Sequence, residues 1–210
     1  MTNAQIKPSA QTATSGRAFG QTPAQACEAG ARRQRGFTLV ETMVTLSLAT
    51  ITAVAGLPTF KDVSNAMRLN SASEGYFHSL MLARSEAIKR HARVVVCKSG
   101  DGQNCTTQGR WEQGWLVFHD ANNNAKLDAG EAVLARQEAL PKGMRFSGNQ
   151  PVANYVSYTA LGNTVTTGGG FQSGTFKLCN QSAGKSEARE IVIASSGRPR
   201  TKKVSLASCA

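Results

Sequence analysis

The sequence predicts an α+β fold in which one long N-terminal helix packs on an antiparallel, β-rich head. Residues 37–57 form an apolar run. Residues 58–92 continue it with a stripe of apolar side chains at the helical period, namely Val63, Phe77, Leu80, Met81 and Ile88. From Arg93 onward the pattern changes to short β-rich runs separated by Gly and Asn clusters. The chain of 210 residues has room for one such head with an appended helix.

Composition and motifs exclude several classes of protein. The chain carries 24 Lys and Arg against 13 Asp and Glu, a net charge of +11, with 40% hydrophobic and 18% charged residues. These proportions exclude a wholly disordered chain and a polytopic membrane protein. The five cysteines form no CxxC unit, and the three histidines form no HExxH pair. We therefore expect a protein that is not an enzyme and that needs no cofactor.

The apolar run of residues 37–57 is long enough to cross a membrane. At about 1.5 Å per residue, a helix of this length spans the ~30 Å hydrocarbon core. Three arginines just before it, at positions 32, 33 and 35, favour a cytoplasmic amino-terminal flank. A secretory signal would end its apolar run at an A-x-A-like cleavage site, whereas this run continues through Gly56 and Pro58 into a helical pattern. We therefore predict a retained transmembrane helix over 37–57 and an amphipathic helix over 58–92.

Glu41 is the only charged residue of this run, and an unpaired carboxylate in hydrocarbon costs at least ~2.5 kcal/mol. The surrounding sequence RGFTLVE, residues 35–41, resembles the processing site of type IV pilins and type II secretion pseudopilins. The resemblance implies that a prepilin peptidase cleaves after Gly36 and that Phe37 is then N-methylated. It also implies that Glu41 meets the new amino terminus of a neighbouring subunit.

The same resemblance implies a place in the cell and a set of partners. Residues 1–36 would be a prepilin leader, and residues 93–210 would form a periplasmic head on a single-pass inner-membrane protein. Other major and minor pilins would assemble with it into an extracellular pilus.

The β-rich half specifically resembles the FimT/GspH group of minor pilins. The run GWLVF at residues 114–118, followed by the Asp- and Asn-rich segment 120–131, carries this resemblance. It implies a pilin-like head on the long helix.

Four cysteines follow the predicted cleavage site, and cysteines pair in an oxidising compartment. Cys97 and Cys105 flank a loop after a predicted strand. We therefore predict the disulfides Cys97–Cys105 and Cys179–Cys209, although four cysteines allow three connectivities. The second disulfide would tie the carboxyl-terminal tail to the head.

Residues 120–131 match an EF-hand-like calcium loop at the oxygen-bearing positions 1, 3, 5, 9 and 12. The five candidate ligands are Asp120, Asn122, Asn124, Asp128 and Glu131. Position 6, usually Gly, is Ala125, and the flanking segments are typical of strands. The alternative is a hairpin loop in which Asn and Asp side chains bond their own backbone.

A basic segment follows the last predicted strand, residues 191–194. It contains four cations and no acid: Arg198, Arg200, Lys202 and Lys203. Gly197 and Pro199 restrict the backbone, which predicts a stiff loop. Guanidinium groups bind phosphate oxygens in a bidentate manner. The absence of aromatic residues nearby in the sequence favours contact with duplex backbone over base stacking.

The stretch Gly197-Arg198-Pro199-Arg200 resembles the GRxR motif of FimT-type minor pilins, which bind DNA during natural transformation. The resemblance implies that Gly197, Arg198 and Arg200 form a DNA site, with Lys202 and Lys203 assisting by charge. The first hypothesis is thus a minor type IV pilin that binds extracellular duplex DNA. The alternative is a purely structural minor pilin, or a type II secretion pseudopilin, that primes filament assembly. A calcium-dependent adhesin is a third hypothesis.

Overall fold

The computed structural model describes residues 36–181 and 184–209, apart from the side chains of residues 55–59, 61 and 62. The predicted leader, with the exception of Gly36, lies outside the described residues. The chain divides into two units, of which the second, Leu48–Ala210, contains the head. Helix α1 spans Leu39–Arg90. No helix in the described part of the chain is both long and apolar enough to cross a membrane.

The face of α1 that packs on the head differs from the predicted stripe. The fully buried apolar side chains of α1 are Leu69, Tyr76, Leu80, Ala83 and Ala87. Successive members are seven, four, three and four residues apart, which places all five on one face of the helix. Of the bulky residues expected on the stripe, only Leu80 is fully buried, whereas Val63, Met81 and Ile88 are exposed. The true face is rotated by roughly a quarter turn, because small alanines let the sheets approach the helix closely.

The described residues of the head form eight strands in two four-stranded sheets, and every pair among them is antiparallel. The first sheet has the order β3-β2-β1-β5 and the second the order β4-β6-β7-β8. The strands are β1 Val94–Lys98, β2 Trp115–His119, β3 Val133–Gln137, β4 Met144–Gly148, β5 Tyr155–Tyr158, β6 Gly174–Asn180, β7 Ser186–Ile193 and β8 Pro199–Leu206. A long helix on an antiparallel head is the predicted fold class, which is confirmed. The prediction omitted β8.

Tyr76 of α1 lies at the centre of the core, where the helix meets both sheets. Its ring makes edge-to-face contacts with Trp111, Trp115, Phe146 and Phe176 at centroid distances of 4.8 to 5.2 Å. The side chain is completely buried, and this burial raises the pKa of Tyr76 well above its ordinary value. The hydroxyl oxygen has no hydrogen-bond partner among the described residues. Tyr76 therefore contributes to the stability of the core through the contacts of its ring.

Both predicted disulfides are present. Cys97 pairs with Cys105 across the loop after β1, and Cys179 of β6 pairs with Cys209 near the carboxyl end. The second disulfide forms a small buried cluster with Ala188, against which two residues of β8, Val204 and Leu206, also pack. This cluster fastens the end of the last strand to the sheet.

Candidate nucleic-acid interface

The turn between β7 and β8 depends on Gly197. This residue is buried, has a φ of +74° and donates its backbone N–H to the carbonyl of Ala194 at 2.8 Å. A Cβ at this position would overlap the carbonyl oxygen of Gly162 and lie 3.1 Å from the ring of Tyr158. Both the left-handed backbone conformation and the lack of room for a Cβ atom therefore require glycine at this position.

Replacing Gly197 with Ala should therefore destabilise the turn. The left-handed conformation alone costs an L-residue about 1–2 kcal/mol, and the overlap with Gly162 adds to this cost. Gly102→Ala is the matched control, because Gly102 has a φ of +66° and no atom within 4 Å of its Cβ position. In urea unfolding, Gly197→Ala should lose more stability than Gly102→Ala. Equal losses would mean that the contact with Gly162 is unimportant.

The four predicted cations do not share a loop. Arg198 lies in the turn, whereas Arg200, Lys202 and Lys203 lie in β8, and all four are exposed. The prediction of a stiff loop was wrong for these three because β8 is an edge strand with one neighbour, β7. Such strands commonly carry lysine and begin with proline, so they lack the apolar alternation typical of inner strands.

Strand geometry separates the cations by face. Arg200 and Lys202 pair with Val192 and Glu190, residues that point away from α1. Because side chains alternate along a strand, Arg200 and Lys202 share this outer face, with their Cα atoms about 6.8 Å apart. Lys203 pairs with the buried Arg189 and therefore faces the helix side.

Two further cations lie on the outer face of the second sheet. Lys177 of β6 pairs with Glu190 of β7 on one side and with Ser147 of β4 on the other. Arg145 lies two residues before Ser147 in β4. Both alternate with the buried core residues of their strands and so point outward. Their position beside β8 was not predictable from the sequence because it depends on the register of three strand pairs, β4–β6, β6–β7 and β7–β8.

Glu190 partly neutralises this outer face. Its carboxylate lies 2.9 Å from Nζ of Lys202 and 3.8 Å from Nζ of Lys177. The face therefore presents four cations, namely Arg145, Lys177, Arg200 and Lys202, and one carboxylate that holds two of them. An extended polyanion fits this charge distribution.

On the helix side, Lys203 borders a groove between α1 and β8. Ser73 and Arg189 line this groove and are almost fully buried. Arg189 donates from Nε to the side-chain oxygen of Asn70 at 2.9 Å, and its Nη1 lies 3.0 Å from the carboxylate of Glu187. Arg200 and Lys202 also border this groove at the edge of the sheet, but strand alternation directs their side chains to the outer face and that of Lys203 to the helix side.

The predicted calcium loop folds around Asp120, which is buried. Its carboxylate accepts hydrogen bonds from the backbone N–H groups of Asn124 at 3.1 Å and Ala125 at 3.0 Å. Ala125 has a φ of +56°, a conformation that usually requires glycine. The loop therefore has a tight turn where an EF-hand loop has its glycine.

The other candidate ligands bond within the loop. Asp128 accepts hydrogen bonds from the amides of Asn122 at 2.8 Å and Asn124 at 2.7 Å, which lower the pKa of Asp128 below its ordinary value. Glu131 accepts from the backbone of Ala121 and of Asp128. In residues 36–181 and 184–209, no group of three or more His, Cys, Asp or Glu side chains is placed to hold a metal ion. Hydrogen bonds within the loop, made by its Asn, Asp and Glu side chains, are what the alternative of a hairpin loop leads us to expect. Calcium binding stays a hypothesis.

Comparison with known proteins identifies the family. The family model described as "Type II transport protein GspH" matches residues 72–197, more than half of the chain. The chain belongs to the GspH family. A second model, the prokaryotic N-terminal methylation motif, matches residues 31–57. No curated protein matches the sequence.

The fold is shared with the solved structure of a minor pilin, and a second solved structure aligns at a lower score. The minor pilin FimU of Pseudomonas aeruginosa aligns with a TM-score of 0.50 and 21% sequence identity, over 70% of this chain and 98% of the FimU chain. The minor pseudopilin EpsH of Vibrio cholerae aligns with a TM-score of 0.43 and 12% identity, over 64% of this chain and 96% of the EpsH chain.

Membership in the GspH family makes the protein a minor type IV pilin or a pseudopilin, as the sequence predicts. Such proteins are structural subunits that act with other pilins in a filament. The prediction that the protein is not an enzyme is therefore confirmed by its family.

The residues of the predicted processing site lie at the start of the described chain. Gly36 and Phe37 precede helix α1 and are exposed. The backbone N–H of Glu41 donates to the hydroxyl of Thr38 at 3.2 Å, so Thr38 caps the first turn of the helix. The Gly36–Phe37 junction therefore lies just before the capped end of the helix.

Proposed function

We propose that this GspH-family protein is a minor type IV pilin that binds extracellular duplex DNA for natural transformation. The observation that carries the proposal is the outer face of the second sheet, where Arg200 and Lys202 lie beside the exposed Arg198 of the turn. Alternate cations on a strand can meet successive phosphates of one DNA strand without bending the protein backbone. Lys177 and Arg145 extend the same basic surface.

The predicted processing and location belong to the same proposal. Prepilin peptidase would cleave after Gly36 and leave Phe37 as an N-methylated terminus. The apolar residues that follow would anchor the subunit in the inner membrane, with the head in the periplasm. The methylation-motif match at residues 31–57 supports this processing. Assembly with other major and minor pilins would then carry the head out of the cell.

Binding of a duplex by the purified full-length protein tests the proposal. The double variant Arg198→Gln, Arg200→Gln should weaken binding, because each phosphate contact contributes about 0.9 to the slope of log affinity against log salt. Two lost contacts lower the slope by about 1.8 and the affinity roughly tenfold or more at low salt. Fluorescence anisotropy across a salt series measures both quantities.

The matched control is Arg110→Gln, Arg136→Gln, which removes two exposed arginines away from the second sheet. It makes the same change in net charge. If both double variants lose affinity equally, binding depends on net charge alone and the site is wrong. A folded protein that binds no duplex at all would refute the proposed function.

Removing the carboxylate of Glu190 should strengthen DNA binding. Glu190→Gln releases Lys202 and Lys177 from their ion pairs, so the salt slope should steepen by about 0.9 for each lysine that then contacts a phosphate. Glu187→Gln is the control, since Glu187 lies on the same strand but pairs with Arg189 on the other side of the sheet. We expect anisotropy titrations to show the gain only in Glu190→Gln.

A purely structural subunit that primes filament assembly is the second candidate, and two observations favour it. The matching family model carries the description "Type II transport protein GspH". In addition, Lys202 already has a carboxylate partner, Glu190, within the protein. A structural subunit would use the basic face against an acidic patch of a neighbouring pilin. It would then show no salt-dependent duplex affinity, although its loss would still reduce filament number.

A further inference from the structure

Two large apolar side chains of the head remain exposed, and both lie in the connection between β5 and β6. Leu161 is 87% exposed and Phe171 is 79% exposed. Among the described residues from Val94 onward, these are the only large hydrophobic side chains that are exposed. Exposed apolar surface bordered by polar residues commonly marks an interaction site.

The connection that displays Phe171 is well anchored. Gln172, the next residue, is completely buried and donates to the carbonyl oxygens of Tyr155 at 2.9 Å and Pro151 at 3.2 Å. Its side-chain oxygen accepts the backbone N–H of Ser157 at 2.9 Å. Phe171 is therefore held outward by an ordered neighbour, and little conformational entropy is lost when a ligand covers its ring.

The same connection supports the basic turn. Thr164 donates its backbone N–H to the carbonyl of Ser195 at 3.0 Å and accepts the backbone N–H of Gln172 at 3.1 Å. Gly162, which follows Leu161, lies directly against Gly197. The two exposed apolar side chains and Arg198 thus belong to one end of the head.

The chemistry of this end fits a ligand that combines flat apolar faces with phosphates. Unpaired nucleobases offer such faces, whereas the bases of a continuous duplex are stacked on one another. Stacking of an aromatic ring on an unpaired base is worth roughly 1–3 kcal/mol. Sequence alone placed no aromatic residue near the basic segment, because Phe171 approaches it only through the fold.

We propose that Phe171 is a stacking platform that makes the site prefer DNA with unpaired bases over continuous duplex, with Leu161 as a second exposed apolar side chain of the same connection. The inference rests on the proposed function and specifies its substrate class. Phosphates beside the unpaired bases bind Arg198 and the outer face of β8. A single-stranded segment or a duplex with an overhang therefore makes contacts that a closed duplex lacks.

The experiment compares three DNAs on the full-length protein: a relaxed, covalently closed duplex circle, a linear duplex with a single-stranded overhang, and a single-stranded oligonucleotide. We expect the overhang and the single strand to compete roughly fivefold or more better than the closed circle, per site. Phe171→Ala should remove this preference and leave the affinity for the closed circle unchanged. Phe171→Tyr should keep the preference, and Phe171→Leu should lose it, since Leu retains apolar area but not the aromatic ring.

The outcomes separate the inference from the proposed function. Equal affinity for the three DNAs, or a Phe171→Ala variant that weakens all three alike, overturns the stacking platform while DNA binding stands. Weaker binding of all three DNAs by Arg198→Gln, Arg200→Gln, together with a preference removed by Phe171→Ala, supports both. If no DNA binds to the folded protein, the proposed function fails and the stacking platform fails with it. Phe171 is exposed, so its variants should match the parent protein in melting temperature, which calorimetry checks.

Discussion

Replacing Tyr76 with Ala is expected to lower the free energy of unfolding by about 3–5 kcal/mol, as is typical when a large aromatic side chain is removed from a core. The ring is completely buried and contacts four other aromatic rings: Phe146 and Phe176 of the second sheet, Trp115 of the first, and Trp111 of the segment before β2. Its loss would leave a cavity where α1 meets both sheets. Urea unfolding of the full-length protein, followed by tryptophan fluorescence, measures the change through Trp111 and Trp115.

Tyr76→Phe is the matched control. The hydroxyl of Tyr76 is buried and has no hydrogen-bond partner among the described residues, so its removal should change stability by less than about 1 kcal/mol or increase it. If Tyr76→Phe costs as much as Tyr76→Ala, the hydroxyl makes a bond on which the core depends, and the ring contacts are not the main contribution. A Tyr76→Ala variant as stable as the parent protein would contradict the central role of the ring.

Removing the Cys179–Cys209 disulfide should produce the second large effect. The disulfide closes a segment with a sequence separation of 30, for which the loss of chain entropy in the unfolded state predicts about 3.5 kcal/mol. The variant Cys179→Ser, Cys209→Ser should also expose the backbone amides of β8 to faster hydrogen exchange, because Val204 and Leu206 lose the cluster that they pack against.

The Cys97–Cys105 disulfide provides the comparison. Its sequence separation is 8, and it lies beside the first sheet, where it has no contact with β8. Cys97→Ser, Cys105→Ser should cost about 2.5 kcal/mol and leave exchange in β8 unchanged. Faster exchange in β8 in both variants would indicate general destabilisation. Unchanged exchange in both would mean that hydrogen bonds to β7 hold β8 without the disulfide.

The order of the elements was predictable because each inner strand carries its own signal. Runs such as Val94–Lys98 and Trp115–His119 combine β-branched or aromatic residues with flanking Gly or Asn, and they appear as β1 and β2. The disulfide pairs were also predictable. Cysteines pair in an oxidising compartment, and the short loop between Cys97 and Cys105 favours one of the three possible connectivities. These features depend on residues close together in the chain.

The composition of the site was predictable, and its geometry was not. The cations of residues 198–203 stand out in the sequence, but the strand that carries three of them forms through pairing with β7 and has no apolar alternation of its own. The outward position of Lys177 and Arg145 depends on sheet register, and that of Phe171 on the anchoring of Gln172. Such long-range relations cannot be read from local residue patterns.

The alternation of side chains along β8 makes its charge pattern sensitive to chain length. In a loop, one additional residue would leave the cations equally available. In β8, one residue inserted after Pro199 would shift the pairing with β7 and move Arg200 and Lys202 to the helix side, while Lys203 would turn outward. Two proteins with the same basic residues and the same net charge would then present different cations to a ligand on the outer face of the sheet.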